Sequence, residues 1–116
     1  MTKDEASRRY RIPIEVLNEY EQWGLCASVK QVMGHWQYGD ADLERLSTIM
    51  ALHDMGFSPE EVEAYMRLLL SEGDSRGARM RMLEARRSAT LDEIHLCERQ
   101  IARLDYLRHK LRSGEE

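Results

Sequence analysis

Residues 2–24 read TKDEASRRYRIPIEVLNEYEQWG, and this stretch decides the fold. Thr2 and Glu5 stand three apart, the spacing of a capping box that opens a short helix. Pro13 suits the first position of a second helix, where its missing N–H costs nothing. That helix is expected from Pro13 to about Gln22, with Ile12, Val16, Leu17 and Tyr20 on one face and Gly24 as its stop. Two short helices joined tightly across Tyr10 to Ile12 have the shape of a helix-turn-helix.

Beyond Gly24 the pattern changes. Cys26 to Gly39 shows no clear period, and Gly34 and Gly39 bracket the aromatic cluster His35, Trp36 and Tyr38. Aromatic residues favour pleated structure and glycines permit turns, so this segment reads as a loop or a two-stranded wing. A third helix is expected from Asp40 or Asp42, with Leu43, Leu46, Ile49, Met50 and His53 on one face, and Met55-Gly56-Phe57 ending it. Ser58-Pro59-Glu60-Glu61 starts a fourth: Ser58 as N-cap, Pro59 at the first helical position, Glu61 closing a capping box. Val62, Tyr65, Met66 and Leu69 form its buried face, and Glu72-Gly73 its end.

From about Ser75 to Arg112 there is no proline, and the lone Gly77 lies near the start. A helix of that length is far above the usual. Leu91, Ile94, Cys97, Ile101, Leu104, Leu107 and Leu111 recur by three and four, with Leu83 beside the stripe. This is a coiled-coil pattern. Such a strip must pack, either back on the first domain or against a second copy, and its length favours the copy. The expected organisation is residues 1–73 as a helix-turn-helix domain with a helical pair, 74–112 as a dimerisation helix, and 113–116 as a polar tail.

Composition narrows the function. The 116 residues carry a net charge of −4, with 42% hydrophobic and 33% charged residues. No apolar run approaches the ~20 residues of a membrane span. The charged N-terminus lacks a signal-peptide core, so a cytoplasmic location is expected. Cys26 and Cys97 lie far apart without CxxC spacing, which argues against a zinc site and for reduced thiols. No Gly-rich phosphate loop, HExxH or GxSxG is present, so no catalytic residue, metal or cofactor is expected and the chain is not read as an enzyme. Charge is uneven. Residues 1–39 balance five cations against five anions, residues 40–73 hold two against eight, and residues 74–116 ten against eight. The N-terminal cations cluster at Arg8, Arg9 and Arg11.

Several motifs, in order, resemble one family. Glu19-Tyr20-Glu21-Gln22-Trp23-Gly24-Leu25 is similar to Y-Y-E-x-x-G-L. Gly34-His35-Trp36-Gln37-Tyr38 resembles the wing sequence G-Y-R-x-Y. Asp42-Leu43-Glu44-Arg45-Leu46 matches D-L-x-R-L, and Met55-Gly56-Phe57-Ser58-Pro59-Glu60-Glu61-Val62 resembles L-G-F-S-L-E-E-I. Leu104-Asp105-Tyr106-Leu107 looks like the end of a short member's dimerisation helix. Together they resemble the MerR-type transcription regulators over nearly the whole chain.

The resemblance implies an all-α fold with a small two-stranded wing. A winged helix-turn-helix domain would be followed by a long C-terminal helix forming an antiparallel coiled-coil homodimer. It implies a regulator of pseudo-palindromic promoter DNA, acting on RNA polymerase indirectly by twisting an overlong promoter spacer, under the control of an unidentified effector. No separate effector domain is expected. Arg8, Arg9, Arg11, Lys30 and Tyr38 are the expected phosphate contacts, and Asn18 can read a base edge. Leu91, Ile94, Cys97, Ile101, Leu104, Leu107 and Leu111 would form the dimer seam, in which Cys97 reads as a small buried residue rather than a thiol sensor. Trp36 stands where a charged wing residue is expected. With Met66, Met80 and Met82 it marks a candidate effector pocket, against the plainer reading of core packing. The second helix departs from the family's R-T-L-R-Y-Y, carrying Glu15, Asn18 and Glu19 instead of two arginines and a tyrosine. The alternative is therefore a MerR-like dimer that has lost DNA and acts as an interaction or dominant-negative partner.

Overall fold

The computed structural model describes residues 1–25, 30–32 and 35–115, the side chains of 30–32 and 35–37 excepted. The chain divides into two compact units, Met1–Arg79 and Met80–Glu116. Helix α1 spans Lys3–Tyr10. Thr2 caps it, its hydroxyl accepting the Glu5 N–H at 3.2 Å. Asp4 and Glu5 sit in the first turn and Arg8 and Arg9 in the last, each sign at the end the helix dipole favours. Ala6 is fully buried.

The turn after α1 is closed by Arg11, whose φ of 55° and ψ of 40° are left-handed. That conformation costs a non-glycine residue about 1–2 kcal/mol. It holds because the turn is clamped from both sides. The Ile12 N–H donates to the Ser7 carbonyl at 3.1 Å, and the Ser7 hydroxyl donates to the Ile12 carbonyl at 2.7 Å. Ile12 itself is buried.

Helix α2 spans Ile14–Trp23, so Pro13 stands just outside it rather than at its first position. Proline brings no side-chain acceptor, and its ψ of 140° is extended. Its carbonyl alone caps the helix, accepting the N–H of Val16 at 3.0 Å and of Leu17 at 3.3 Å. Gly24 ends α2 with φ 69°, a conformation that strains any side chain. The short strands β1 (Lys30–Val32) and β2 (His35–Gln37) pair antiparallel, Lys30 opposite Gln37 and Gln31 opposite Trp36. Residues 26–29 and 33–34 of the aromatic segment lie outside the described residues.

Helix α3 spans Asp40–Asp54 and α4 spans Pro59–Leu70. On α3 the buried side chains are Asp42, Leu46, Ile49 and Leu52. Leu43, Met50 and His53 of the expected face are only half-buried. Leu52 takes their place because the chain turns sharply at Gly56, φ 93°, and the Phe57 N–H donates back to the Leu52 carbonyl at 3.3 Å. That bond brings Phe57 into the same core.

The capping box of α4 is complete. Glu61 N–H reaches the Ser58 hydroxyl at 3.2 Å, and Ser58 N–H reaches the Glu61 carboxylate at 2.9 Å. Ser58→Ala is expected to cost about 1 kcal/mol, a fall of roughly 4–8 °C in the melting temperature of a domain this size. Thermal denaturation followed by circular dichroism checks it. Val62 and Met66 are fully buried, whereas Tyr65 is half-buried and Leu69 is exposed. Helix α4 stops at Leu70, short of Glu72-Gly73. The Ser71 and Ser75 hydroxyls both donate to the Leu68 carbonyl at 2.7 Å and occupy the acceptor that another turn would use.

Helix α5 runs unbroken over Arg76–Arg112, 37 residues. At 1.5 Å per residue that is about 55 Å. Asp74 steadies its start, its carboxylate accepting the Arg76 backbone N–H and guanidinium, each at 3.0 Å. The Arg76 guanidinium holds the Asp74 carboxyl below its ordinary range. Among the described residues no helix is long and apolar enough to cross a membrane.

Candidate nucleic-acid interface

Helix α2 is held by its inner face and presents its outer one. Leu17 and Tyr20 are fully buried. Ile14, Glu15, Asn18 and Gln22 are exposed. At spacings of three and four they share one side of the helix. The outer face therefore carries one carboxylate and two amides, and α2 contains no lysine or arginine.

The cations come from α1 and the turn. Arg8, Arg9 and Arg11 are all exposed, and none forms an ion pair among the described residues. Among the described residues Arg8 makes one long bond, 3.4 Å from its Nε to the Asp4 carbonyl. Arg9 lies 5.9 Å from the Tyr10 ring centre. The left-handed Arg11 stands at the apex of the turn that leads into α2. Long, weakly committed guanidinium groups beside an exposed helix face are suited to phosphate oxygens.

Two expected contacts have other partners. Asn18 is exposed, but its Oδ1 accepts from Lys3 Nζ at 2.8 Å. Tyr38 is 4% exposed. Its hydroxyl donates to the Glu21 carboxylate, and its N–H donates to the Met1 carbonyl at 2.7 Å. Lys3 Nζ also lies 3.0 Å from Glu21, so Lys3 bridges the start of α1 to α2. Lys30 and Trp36 occupy facing strands, one register step apart, and their side chains lie outside the described residues.

The motif residues turn out to interlock. Tyr20 and Asp42, twenty-two residues apart, meet in the core, the Tyr20 hydroxyl donating to Asp42 Oδ1 at 2.6 Å. The other Asp42 oxygen accepts the Gly39 N–H at 3.1 Å, capping α3. Arg45 donates to the Leu25 carbonyl at 2.8 Å, and Arg67 to the Trp23 carbonyl at 2.9 Å. These carbonyls at and just beyond the end of α2 have no helical donor, and both guanidinium charges stand at the negative end of its dipole. Glu19, half-buried, turns towards α3, with His53 Nε2 at 3.7 Å. Lys3, Glu21, Arg45 and Arg67 were not singled out from sequence. Glu21 and Arg45 lie inside the quoted motifs, which was the available signal.

The remaining expected site residues fall in the two units. Met66 is enclosed in the core of the first, and Met80 (55% exposed) and half-buried Met82 lie in the second. Every seam residue of α5 is exposed. Leu91 is 37% exposed, Ile94 47%, Ile101 57%, Leu104 60%, Leu107 55% and Leu111 65%, and Cys97 is a free, exposed thiol. Among the described residues no three His, Cys, Asp or Glu side chains come together to hold a metal.

A tight turn between two short helices, the second with a free polar face, defines a helix-turn-helix protein. Residues 1–69 match the family model described as MerR HTH family regulatory protein, and the chain belongs to that family of transcription regulators. A curated relative from Haemophilus influenzae, named "Probable heavy metal-dependent transcriptional regulator", is 30% identical over 109 residues, 91% of this chain and 84% of its own length. Among solved structures, the fold is similar to that of HiNmlR, a MerR family regulator lacking the sensor domain, bound to promoter DNA. The TM-score is 0.67 at 21% identity, covering 98% of this chain and 91% of that one. A MerR family regulator from Bacillus cereus is also similar, with TM-score 0.72 at 20% identity over 100% of this chain and 85% of its own.

Proposed function

We propose that the chain is a dimeric regulator that binds pseudo-palindromic promoter DNA. The observation that carries this is the exposed face of α2, flanked on α1 and the turn by three arginines that form no ion pair among the described residues. Helix α2 enters the major groove. Arg8, Arg9 and Arg11 hold phosphates, β1–β2 serves as the wing, and Lys30 adds a fourth cation. Asn18 is released from Lys3 to read a base edge. Tyr38 belongs to the framework and not to the contact set, because its ring is buried and its hydroxyl is bound to Glu21. The solved HiNmlR complex with promoter DNA supports the reading by likeness of fold.

The second unit supplies the dimer. An unbroken helix with an exposed apolar stripe, alone in water, is the kind of surface a second copy covers. Met66 is enclosed by the core, so we give it no effector role. The reading divides the chain near residue 74 into a DNA-reading part and a dimerisation helix.

A rival reading, a dimer that has given up DNA, rests on Glu15 facing outward from an α2 without cations. One substitution separates the two. Glu15→Arg removes a carboxylate and adds a cation in each subunit at the proposed groove surface. In a gel shift with the DNA upstream of the protein's own gene, affinity is expected to rise at least tenfold, with a steeper loss on adding salt. A shift absent from both wild type and variant at low salt, from protein shown to be dimeric by light scattering, supports the rival.

A further inference from the structure

The first unit holds a cavity of about 480 Å³ between α3 and the turn that joins α1 to α2. Among the described residues, Tyr10 and Ile12 line it from the end of α1 and the turn, and Asp40, Leu43, Glu44, Ser47 and Met50 line it from α3. The volume falls within the ~300–1,000 Å³ of small-molecule sites. We infer that this cavity binds an organic cation, an apolar body that ends in an ammonium group.

The register of α3 sets the character of the cavity. At about 3.6 residues per turn, the five lining residues of α3 share one face. Leu43 and Met50 fall at the edge of that face nearest buried Leu46, Asp40 and Glu44 fall at the other edge, and Ser47 lies between. Ile12 is buried, Leu43 and Met50 are half-buried, and Tyr10 is 47% exposed. The fold thus leaves an apolar floor partly uncovered. This also accounts for Leu43 and Met50 stopping short of the core that their spacing predicts for them.

The rim selects the charge of the occupant. Asp40 and Glu44 stand four apart, so two like charges face each other across one turn and repel. Neither forms an ion pair among the described residues. The helix dipole accounts for Asp40 in the first turn of α3, but its effect fades before Glu44. An ammonium group held between the two relieves the repulsion, while an anion adds a third like charge. Both carboxylates are exposed, so their pull is modest. The floor supplies most of the affinity and the rim the preference for a cation. The cavity shares the turn whose apex is Arg11. A ligand seated on Tyr10 and Ile12 therefore braces the turn that presents this arginine. That coupling, unlike the site itself, rests on the DNA-binding reading above.

Three probes with one body test it: 4-phenylbutylamine, 4-phenylbutanol and 4-phenylbutyrate, titrated into the full chain at pH 7 without DNA and followed by two-dimensional NMR. The amine is expected to bind with a Kd of about 0.1–1 mM, a modest efficiency for a ligand of this size. Its shifts should centre on Tyr10, Ile12, Leu43 and Ser47. The alcohol should bind at least threefold more weakly, and the carboxylate more weakly still. Glu44→Gln should bring the amine to within twofold of the alcohol and leave the alcohol unchanged. Ser47→Trp, at an exposed position, should fill the cavity and abolish both. Equal binding of amine and alcohol to the wild type overturns the choice of a cation. No binding at 10 mM, the result if a second copy of the chain covers the cavity, overturns the site. Saturating amine is then expected to raise affinity for the DNA upstream of the protein's own gene at least threefold, and not in Ser47→Trp. A chain that takes the amine but no DNA overturns the DNA-binding reading and leaves the site standing. Amine binding with unchanged DNA affinity overturns the coupling alone.

Discussion

Asp42→Ala is expected to destabilise the first unit by about 3 kcal/mol, the largest effect of any single substitution considered. Three losses combine. The buried Tyr20 hydroxyl loses its acceptor, the Gly39 N–H loses its cap, and a cavity replaces the carboxylate. An unsatisfied buried group costs about 1–3 kcal/mol, and loss of a helix cap about 1 kcal/mol more. For a unit ending at Arg79 the melting temperature should fall by at least 12 °C. Asp42→Asn keeps one acceptor oxygen and should recover about half of this. A change of less than 1 kcal/mol in chemical denaturation would mean that the Tyr20–Asp42 bond does not hold α2 against α3.

The largest functional effect is expected from removing the three arginines together. If Arg8, Arg9, Arg11 and Lys30 each neutralise one phosphate, a dimer makes eight such contacts. The triple alanine variant keeps two. The slope of log affinity against log salt, about −0.9 per contact, should relax from about −7 to about −2, and affinity at 0.1 M salt should fall at least 10³-fold. Stability should change by less than 1 kcal/mol, because all three side chains are exposed and form no ion pair among the described residues. Fluorescence anisotropy with labelled DNA reads affinity, and a melting curve confirms that the fold is intact. An affinity within threefold of wild type would remove these residues from the interface.

Local chemistry made the elements legible. Thr2, Gly24 and Ser58-Pro59 with Glu61 act through groups at most three residues away, so the sequence displays them directly. The helix α5 and its exposed apolar stripe were readable because proline is absent from it and the stripe recurs by three and four. What escaped depends on distance in the fold. Asp42 reads as one of several acids opening a helix; only the approach of Tyr20, from twenty-two residues earlier, makes it a buried acceptor. Tyr38 reads as a polar-tipped aromatic in a wing. The position of Glu21 on α2 decides that its hydroxyl turns inward. Lys3 was passed over because a lysine in a first helical turn has no local partner, and its bonds go to Asn18 and Glu21 on the next helix.

The same interlocking leaves the outer face of α2 exposed for the role proposed above. Tyr20, Glu21, Gly24, Leu25, Asp42 and Arg45 hold α2 at its C-terminal end and along its back, and none of them lies on its outer face. These six motif residues are therefore framework. In the reading proposed above, the phosphate contacts come from residues outside them, on α1 and at the apex of the turn.

The most direct test of the central claim is the salt dependence of binding to the DNA upstream of the protein's own gene, measured with the full chain by anisotropy from about 50 to 200 mM salt. Eight phosphate contacts predict an affinity that falls by about 10⁴-fold across that range. Binding that does not change with salt, or no binding at 50 mM from a folded dimer, would contradict the account.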